Sequence, residues 1–194
     1  MRSEEIARLY DERCEKSEFE WQAAAWGDEN DQYGRYVLAG SCIGENSSVL
    51  DVGCGQGGLL RFLREKKIGK TYTGVDVSPK MLKKARLLGD YFIEGDFMNE
   101  PLESHDHVIA LGTFSLINED PYGYLRKSLA RCFELCDKSL CATFLIDNDE
   151  IKFPDERLFY YDAAEAFRVC VGICPKIVFN TGSLSCEALV CMYK

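Results

Sequence analysis

Apolar positions recur along this chain at two spacings, and the change between them marks where one architecture gives way to another. Over residues 4–14, Ile6, Leu9 and Tyr10 fall near one face of a helix, and residues 31–39 continue with Tyr33, Tyr36 and Val37. Between these, residues 18–27 carry Phe19, Trp21 and Trp26 and read as a linker or short turn rich in aromatic rings. Gly44-Glu45-Asn46-Ser47 breaks the helical pattern.

From Ser48 onward short apolar runs alternate with helical spacing. Strands are predicted at 49–52, 71–77, 91–94, 107–111 and 140–146, with two more at 176–180 and 187–193. Helices are predicted at 59–66, 79–88, 122–136 and 163–171. Ser78-Pro79 supplies a cap and a first-turn proline for the second of these. Strands separated by helices of this length require right-handed crossovers, so the sheet is mostly parallel with helices on both faces, a three-layer α/β fold. Thr181-Gly182-Ser183 reads as a hairpin link, which makes the last strand antiparallel. Residues 46–194 form the α/β core, residues 1–45 a helical appendage, and the whole a single domain.

Composition narrows the partners. At 194 residues, 46% hydrophobic and 28% charged, the chain can bury one full core. A net charge of −9 argues against nucleic acid, whose phosphates demand a cationic footprint. The basic clusters at 61–70 and 80–86 fall on amphipathic helices and read as solvated faces. No apolar run suits a membrane span and the N-terminus carries no secretory signal, so a cytoplasmic protein without a membrane partner is expected. Ten cysteines lack any C-x-x-C spacing and sit mostly in apolar company, so neither a metal nor a disulfide framework is expected.

The candidate chemistry begins at Gly53, Gly55 and Gly58, spaced G-x-G-x-x-G after the first strand. Such glycines let backbone approach a ligand closely, and an acid about twenty residues on, at the end of the second strand, takes ribose hydroxyls. Asp76 occupies that place. A nicotinamide cofactor and S-adenosylmethionine fit equally well so far. Asp51, just ahead of the glycines, opposes a pyrophosphate but attracts an amino group and a sulfonium. Asp96, after the third strand, can accept from an adenine amino group. The chain also leaves little room for the separate substrate domain that most dehydrogenases carry.

With V-L-D-V-G-C-G-Q-G at 49–57, G-V-D-V-S-P-K-M-L at 74–82, G-D-F at 95–97 and D-H-V-I-A-L-G-T-F at 106–114, the sequence resembles the class I, Rossmann-like S-adenosylmethionine-dependent methyltransferases over nearly its whole length. The resemblance implies seven strands with the last antiparallel, and a methyl donor released as S-adenosylhomocysteine. It puts Asp51, Gly53, Gly55, Gly57, Leu111 and Gly112 at the cofactor, ribose on Asp76, and adenine between Val77 and the Asp96-Phe97 pair. The early Tyr10-Asp11, Trp26 and Arg35 are similar to features of a poorly characterised bacterial branch whose N-terminal helices cap the cofactor. That likeness implies Tyr10 near the sulfonium and Arg35 near the cofactor carboxylate, with core packing or a surface charge as the plain alternatives. Trp26, Phe114, Tyr160 and Tyr161 are candidates for an acceptor pocket.

Methyl transfer from a sulfonium is an in-line displacement that positioning alone can drive far, and no dedicated catalytic side chain stands out. Gly112-Thr113-Phe114-Ser115 is not the signature of base-amine methylation. Cys54 reads as a small residue that fits its loop, and His105 and His107 as surface histidines. Asp147-Asn148 is similar to the catechol-type metal enzymes, but the acid those need after the fourth strand is missing, so residues 147–150 read as a solvated loop and no metal is expected. A small-molecule acceptor offering an O, N or C nucleophile is the leading expectation. A protein or peptide methyltransferase, a non-catalytic cofactor-binding protein and a nicotinamide dehydrogenase are the alternatives; the oligomeric state is open.

Overall fold

The computed structural model describes residues 2–149, 151 and 154–194. Seven strands build one sheet: β1 Ser48–Val52, β2 Thr71–Asp76, β3 Tyr91–Glu94, β4 His105–Leu111, β5 Cys136–Leu145, β6 Ile177–Leu184 and β7 Glu187–Tyr193. Their order is β3-β2-β1-β4-β5-β7-β6. The chain moves outward from β1 through β2 to β3, then crosses back to place β4 on the other side of β1. β1 is therefore the switch point, where the carboxyl ends of adjacent strands open a crevice. Pairing is parallel from β3 to β5, and β7 runs antiparallel to both β5 and β6.

Helices cover both faces: α4 Gly58–Lys66, α5 Pro79–Ala85, α6 Pro121–Glu134 and α7 Ala163–Ile173. The period-2 alternation of the strands divides their side chains between two cores. Leu50, Val108 and Ala142 pack with Phe114, Leu129 and Phe144 on one face. Their immediate neighbours Val49, Ile109 and Cys141 pack with Leu60, Phe62 and Tyr72 on the other. Burying each large apolar side chain contributes roughly 1.5–3 kcal/mol, so neither face of the central strands tolerates a register slip.

Three helices precede the sheet: α1 Ser3–Lys16, α2 Glu20–Ala23 and α3 Glu29–Gly40. α2 lies within the stretch expected to be linker, and α3 begins two residues earlier than the periodicity marks, because the Asp28 carboxylate caps it through the Asp31 N–H. Ser78 caps α5 through the Met81 N–H, with Pro79 in the first turn as the sequence indicates.

Two expectations are corrected at the far end of the sheet. Thr181-Gly182-Ser183 does not turn the chain. The Asn180 side chain accepts hydrogen bonds from the Gly182 and Ser183 N–H groups, the ladder is irregular between Asn180 and Leu184, and β6 resumes before reversing at Ser185-Cys186. The glycine marks a bulge inside the strand instead. His107 is not at the surface: it is buried between the hydroxyls of Ser139 at 2.7 Å and Ser47 at 3.2 Å, and burial holds its pKa below the usual value. His105 is half-buried beside the Thr73 hydroxyl at 2.9 Å. No helix among the described residues is long and apolar enough to cross a membrane.

Candidate functional site

A cavity of about 230 Å³ opens over the carboxyl ends of β1, β2 and β4. Its floor is the glycine loop. Gly53 and Cys54 donate their N–H groups to Val75 O, which ties the loop to β2. Gly53, Gly55 and Gly57 all have positive φ, a conformation that glycine adopts without strain. A Cβ on Gly55 would meet nothing within 4 Å, so its bare backbone faces open space in the cavity. Gly57 is different: it lies outside the cavity lining, and a side chain there would strike Leu88, so it serves the turn into α4.

Three carboxylates ring this floor. Asp76 accepts from the Gly55 N–H at 2.9 Å and the Ser78 N–H at 2.8 Å, and burial raises its pKa despite these bonds. Asp51, at the end of β1, accepts from the Tyr72 hydroxyl at 2.6 Å. Burial is the main force that lifts its pKa to about 7; the Tyr72 bond opposes the rise and nearby Asp76 adds to it. Asp96 accepts from Met98 N–H, from Asn99 and, at 2.6 Å, from the hydroxyl of Ser3. Val77, Phe97, Leu111 and Gly112 complete the wall.

The roof comes from the N-terminal helices, in the lining residues Ser3, Ile6 and Tyr10 of α1, then Trp26, Gln32 and Tyr36. Burial pushes the Tyr10 phenol above its ordinary pKa, so it stays protonated. Trp26 lies against Gly112, where any side chain would collide with the indole. The Asp11 carboxylate pins α1 in place, accepting from the Ser78 hydroxyl at 2.6 Å and the Lys80 N–H at 3.1 Å.

Arg35 is placed differently from its expected role at a cofactor carboxylate. Its guanidinium is buried, holds Glu187 of β7 through bonds of 2.6–3.1 Å, pairs with Asp31 at 2.7 Å, and sits 4.1 Å over the Trp26 ring. It lies outside the cavity lining and braces the tryptophan that lies inside it. The cause is competition: the Glu187 and Asp31 carboxylates and the Asp31 carbonyl take up most of the donors that a ligand would need.

The aromatic acceptor candidates divide. Trp26 lines the cavity, whereas Phe114, Tyr160 and Tyr161 do not. Phe114 and Tyr161 are fully buried in the core, and the Tyr161 hydroxyl donates to Phe114 O at 2.8 Å and Pro121 O. The Tyr160 hydroxyl accepts from the Asp155 N–H. Tyr161, its polar end satisfied on backbone carbonyls, is a core residue with a handle, and Tyr160 is half-buried and tied to its own loop. Asp147 and Asn148 also lie outside the cavity, and Glu150, at the end of that acidic stretch, lies outside the described residues. Sequence reasoning missed Ser3, Gln32, Tyr36, Thr113 and Leu116, all lining residues. Gln32 and Tyr36 are one helical turn apart on α3, a signal that the spacing did hold.

The arrangement is that of a Rossmann-like domain with a cavity sized for a small ligand at its switch point. The family described as "Methyltransferase domain" matches residues 49–136. Rv1506c of Mycobacterium tuberculosis, named as a methyltransferase, is 35% identical over 71 residues, which is 36% of this chain and 43% of that protein. The two are thus alike over less than half of the relative's length. Among solved structures, magnesium protoporphyrin IX methyltransferase from Synechocystis with bound S-adenosylhomocysteine superposes with a TM-score of 0.65 at 17% identity, covering 84% of this chain and 81% of that one. Human N-acetylserotonin methyltransferase with S-adenosylmethionine gives 0.69 at 17% identity, over 97% of this chain and 57% of the other. Residues 49–136 thus match the sequence pattern of a methyltransferase domain, and the chain has the Rossmann-like fold of these solved methyltransferases.

Proposed function

We propose that this protein moves a methyl group from S-adenosylmethionine to an oxygen, nitrogen or carbon of a small molecule, leaving S-adenosylhomocysteine. The observation that carries the reading is Asp76, a half-buried carboxylate oriented by the Gly55 and Ser78 N–H groups beside the open backbone of Gly55. A carboxylate with unfilled acceptor sites in such a cradle suits a ribose diol.

The other residues fit the same ligand. Val77, Asp96 and Phe97 would border the adenine, and Gly53, Leu111 and Gly112 the amino-acid end. Asp51 is the group that gains most, because a cationic amine relieves the cost of its buried charge. When bound, the cofactor supplies a methyl group on a cationic sulfur, and that carbon–sulfur bond breaks as the acceptor's lone pair forms the new one.

The chain itself contributes position and dryness. Ile6, Tyr10, Trp26 and Leu116 enclose the space above the floor, and holding two reactants in line can remove up to ~7–11 kcal/mol of barrier. Tyr10, kept protonated, orients an acceptor by donating a hydrogen bond. The bonds Ser3–Asp96 and Asp11–Ser78 draw α1 over the cavity, which favours a small acceptor over a threaded peptide. The N-terminal residues 1–45 thus act as a cap.

A turnover screen over metabolite pools and peptides, read by S-adenosylhomocysteine release, tests this. Release with a small molecule is the expected result. Release with peptides alone transfers the assignment to protein methylation, and binding without any release reduces the protein to a cofactor binder. Calorimetry in which NADH binds and S-adenosylmethionine does not would overturn the reading entirely.

A further inference from the structure

Three cysteines that are distant in sequence converge away from the cavity. Cys141 of β5 and Cys191 of β7 are direct partners in the antiparallel ladder, so their side chains leave the sheet on one face. Cys42, just past the end of α3, comes down on that face with its sulfur 3.2 Å from that of Cys191. All three sulfurs lie within 4.8 Å of one another. Cys141 and Cys191 are buried beside Ala39, Ile43 and Leu189, whereas Cys42 is half-buried and leaves the cluster open to solvent.

The spacing matches what a thiophilic ion requires. With metal–sulfur bonds near 2.3 Å, sulfurs arranged trigonally around one ion are about 4 Å apart, so the Cys42–Cys191 pair must open, and any longer pair close, by less than about 1 Å. Among the described residues, no further histidine, cysteine or acid joins the group. Structural zinc demands four ligands. Three sulfurs in an apolar enclosure suit a soft ion content with fewer, of which copper(I) is the common biological case. Ligation would release the thiol protons to solvent and change no oxidation state.

We propose that Cys42, Cys141 and Cys191 form a three-sulfur site for copper(I), joining the end of α3 to β5 and β7. None of the three lines the cofactor cavity, so the site is independent of methyl transfer. Its occupation would fasten the third helix to the sheet.

The test is titration of the purified full chain with copper(I), in a thiol-free reductant and against a chromophoric competitor. One tight equivalent is expected for the wild type. Affinity should fall at least about tenfold in Cys42→Ser and stay unchanged in Cys186→Ser, whose thiol lies outside the cluster. Cys42 is half-buried, and circular dichroism checks that its variant keeps the fold. A readout on the wild type alone guards against misfolding: copper(I) should raise the melting temperature and shield the half-buried Cys42 from alkylation mapped by mass spectrometry. Equal affinity in a folded Cys42→Ser chain overturns the proposal, and so does unshielded alkylation. Zinc(II) displacing copper(I) at equal concentration overturns the three-coordinate assignment.

Discussion

The Asp11 carboxylate accepts a 2.6 Å hydrogen bond from the Ser78 hydroxyl, across 67 residues of sequence, and so joins the first helix to the start of α5. Ser78 is already committed there: its hydroxyl caps α5 through Met81, and its N–H holds the Asp76 carboxylate. One acid therefore couples the roof of the cavity to Asp76, the carboxylate proposed to meet the ribose. Asp11→Ala should cost about 1.5–3 kcal/mol of stability, as for other hydrogen bonds to charged groups. Hydrogen exchange in α1 should accelerate and cofactor affinity should fall, although Asp11 is absent from the cavity lining. Calorimetry and exchange mass spectrometry check both, and an α1 that exchanges at the wild-type rate would show that it is held by other means.

Asp76→Ala should weaken S-adenosylmethionine binding about tenfold or more, the equivalent of losing hydrogen bonds of ~1.5–3 kcal/mol to a charged acceptor. Asp76→Asn, which keeps one acceptor oxygen, should lose less. Affinities equal to wild type in both variants would remove Asp76 from the site.

Asp51 makes a prediction about pH. Its folded pKa of about 7 lies above the ordinary aspartate value of 3.8, so between those limits the folded chain keeps a proton that the unfolded chain gives up. Stability therefore falls as pH rises through that window and is flat above it. Asp51→Asn should be more stable than wild type at pH 8, by about 2–4 kcal/mol, with the difference vanishing near pH 4. Cofactor affinity should move the other way: wild-type binding should strengthen from pH 6 to 8, and the variant should bind weakly at both. Denaturant melts and titrations at three pH values decide this, and a pH-independent difference in stability would refute it.

Arg35 is a prediction about folding more than binding. Removing one partner of a buried ion pair strands the other, typically at a cost of 3–5 kcal/mol, and Arg35 and Glu187 are almost wholly enclosed. Arg35→Ala should lower the melting temperature sharply, while the double change Arg35→Met with Glu187→Leu should recover much of the loss. A stable Arg35→Ala chain with impaired cofactor binding would return the arginine to the ligand.

The sheet was legible because its signals are local. Val49–Val52 ahead of the glycines, Ser78-Pro79 at a helix start and the alternation of the central strands each fix an element from a handful of neighbours. Asp51, Asp76 and Asp96 follow from them, since a strand end determines where the next side chain points. Arg35 was illegible for the opposite reason: its partner Glu187 lies 152 residues away, and no pattern announces the pairing. Tyr161 misled because a phenol near a strand end looks like a pocket residue until its hydroxyl is found on Phe114 O. The cysteine trio escaped a search by spacing because its members come from three separate elements.

Under α1 the buried apolar residues are few: Cys14, Ala23 and Met81, with Tyr10 partly enclosed beside them. The rest of its attachment is polar and reversible, as in Ser3 on Asp96, Asp11 on Ser78 and Lys80 on Glu15. Such a segment detaches at far lower cost than the strands beneath it. If the cavity holds the proposed cofactor, its spent form would leave through a door that swings without disturbing the frame, and the dwell time of product would be a property of α1 rather than of the sheet.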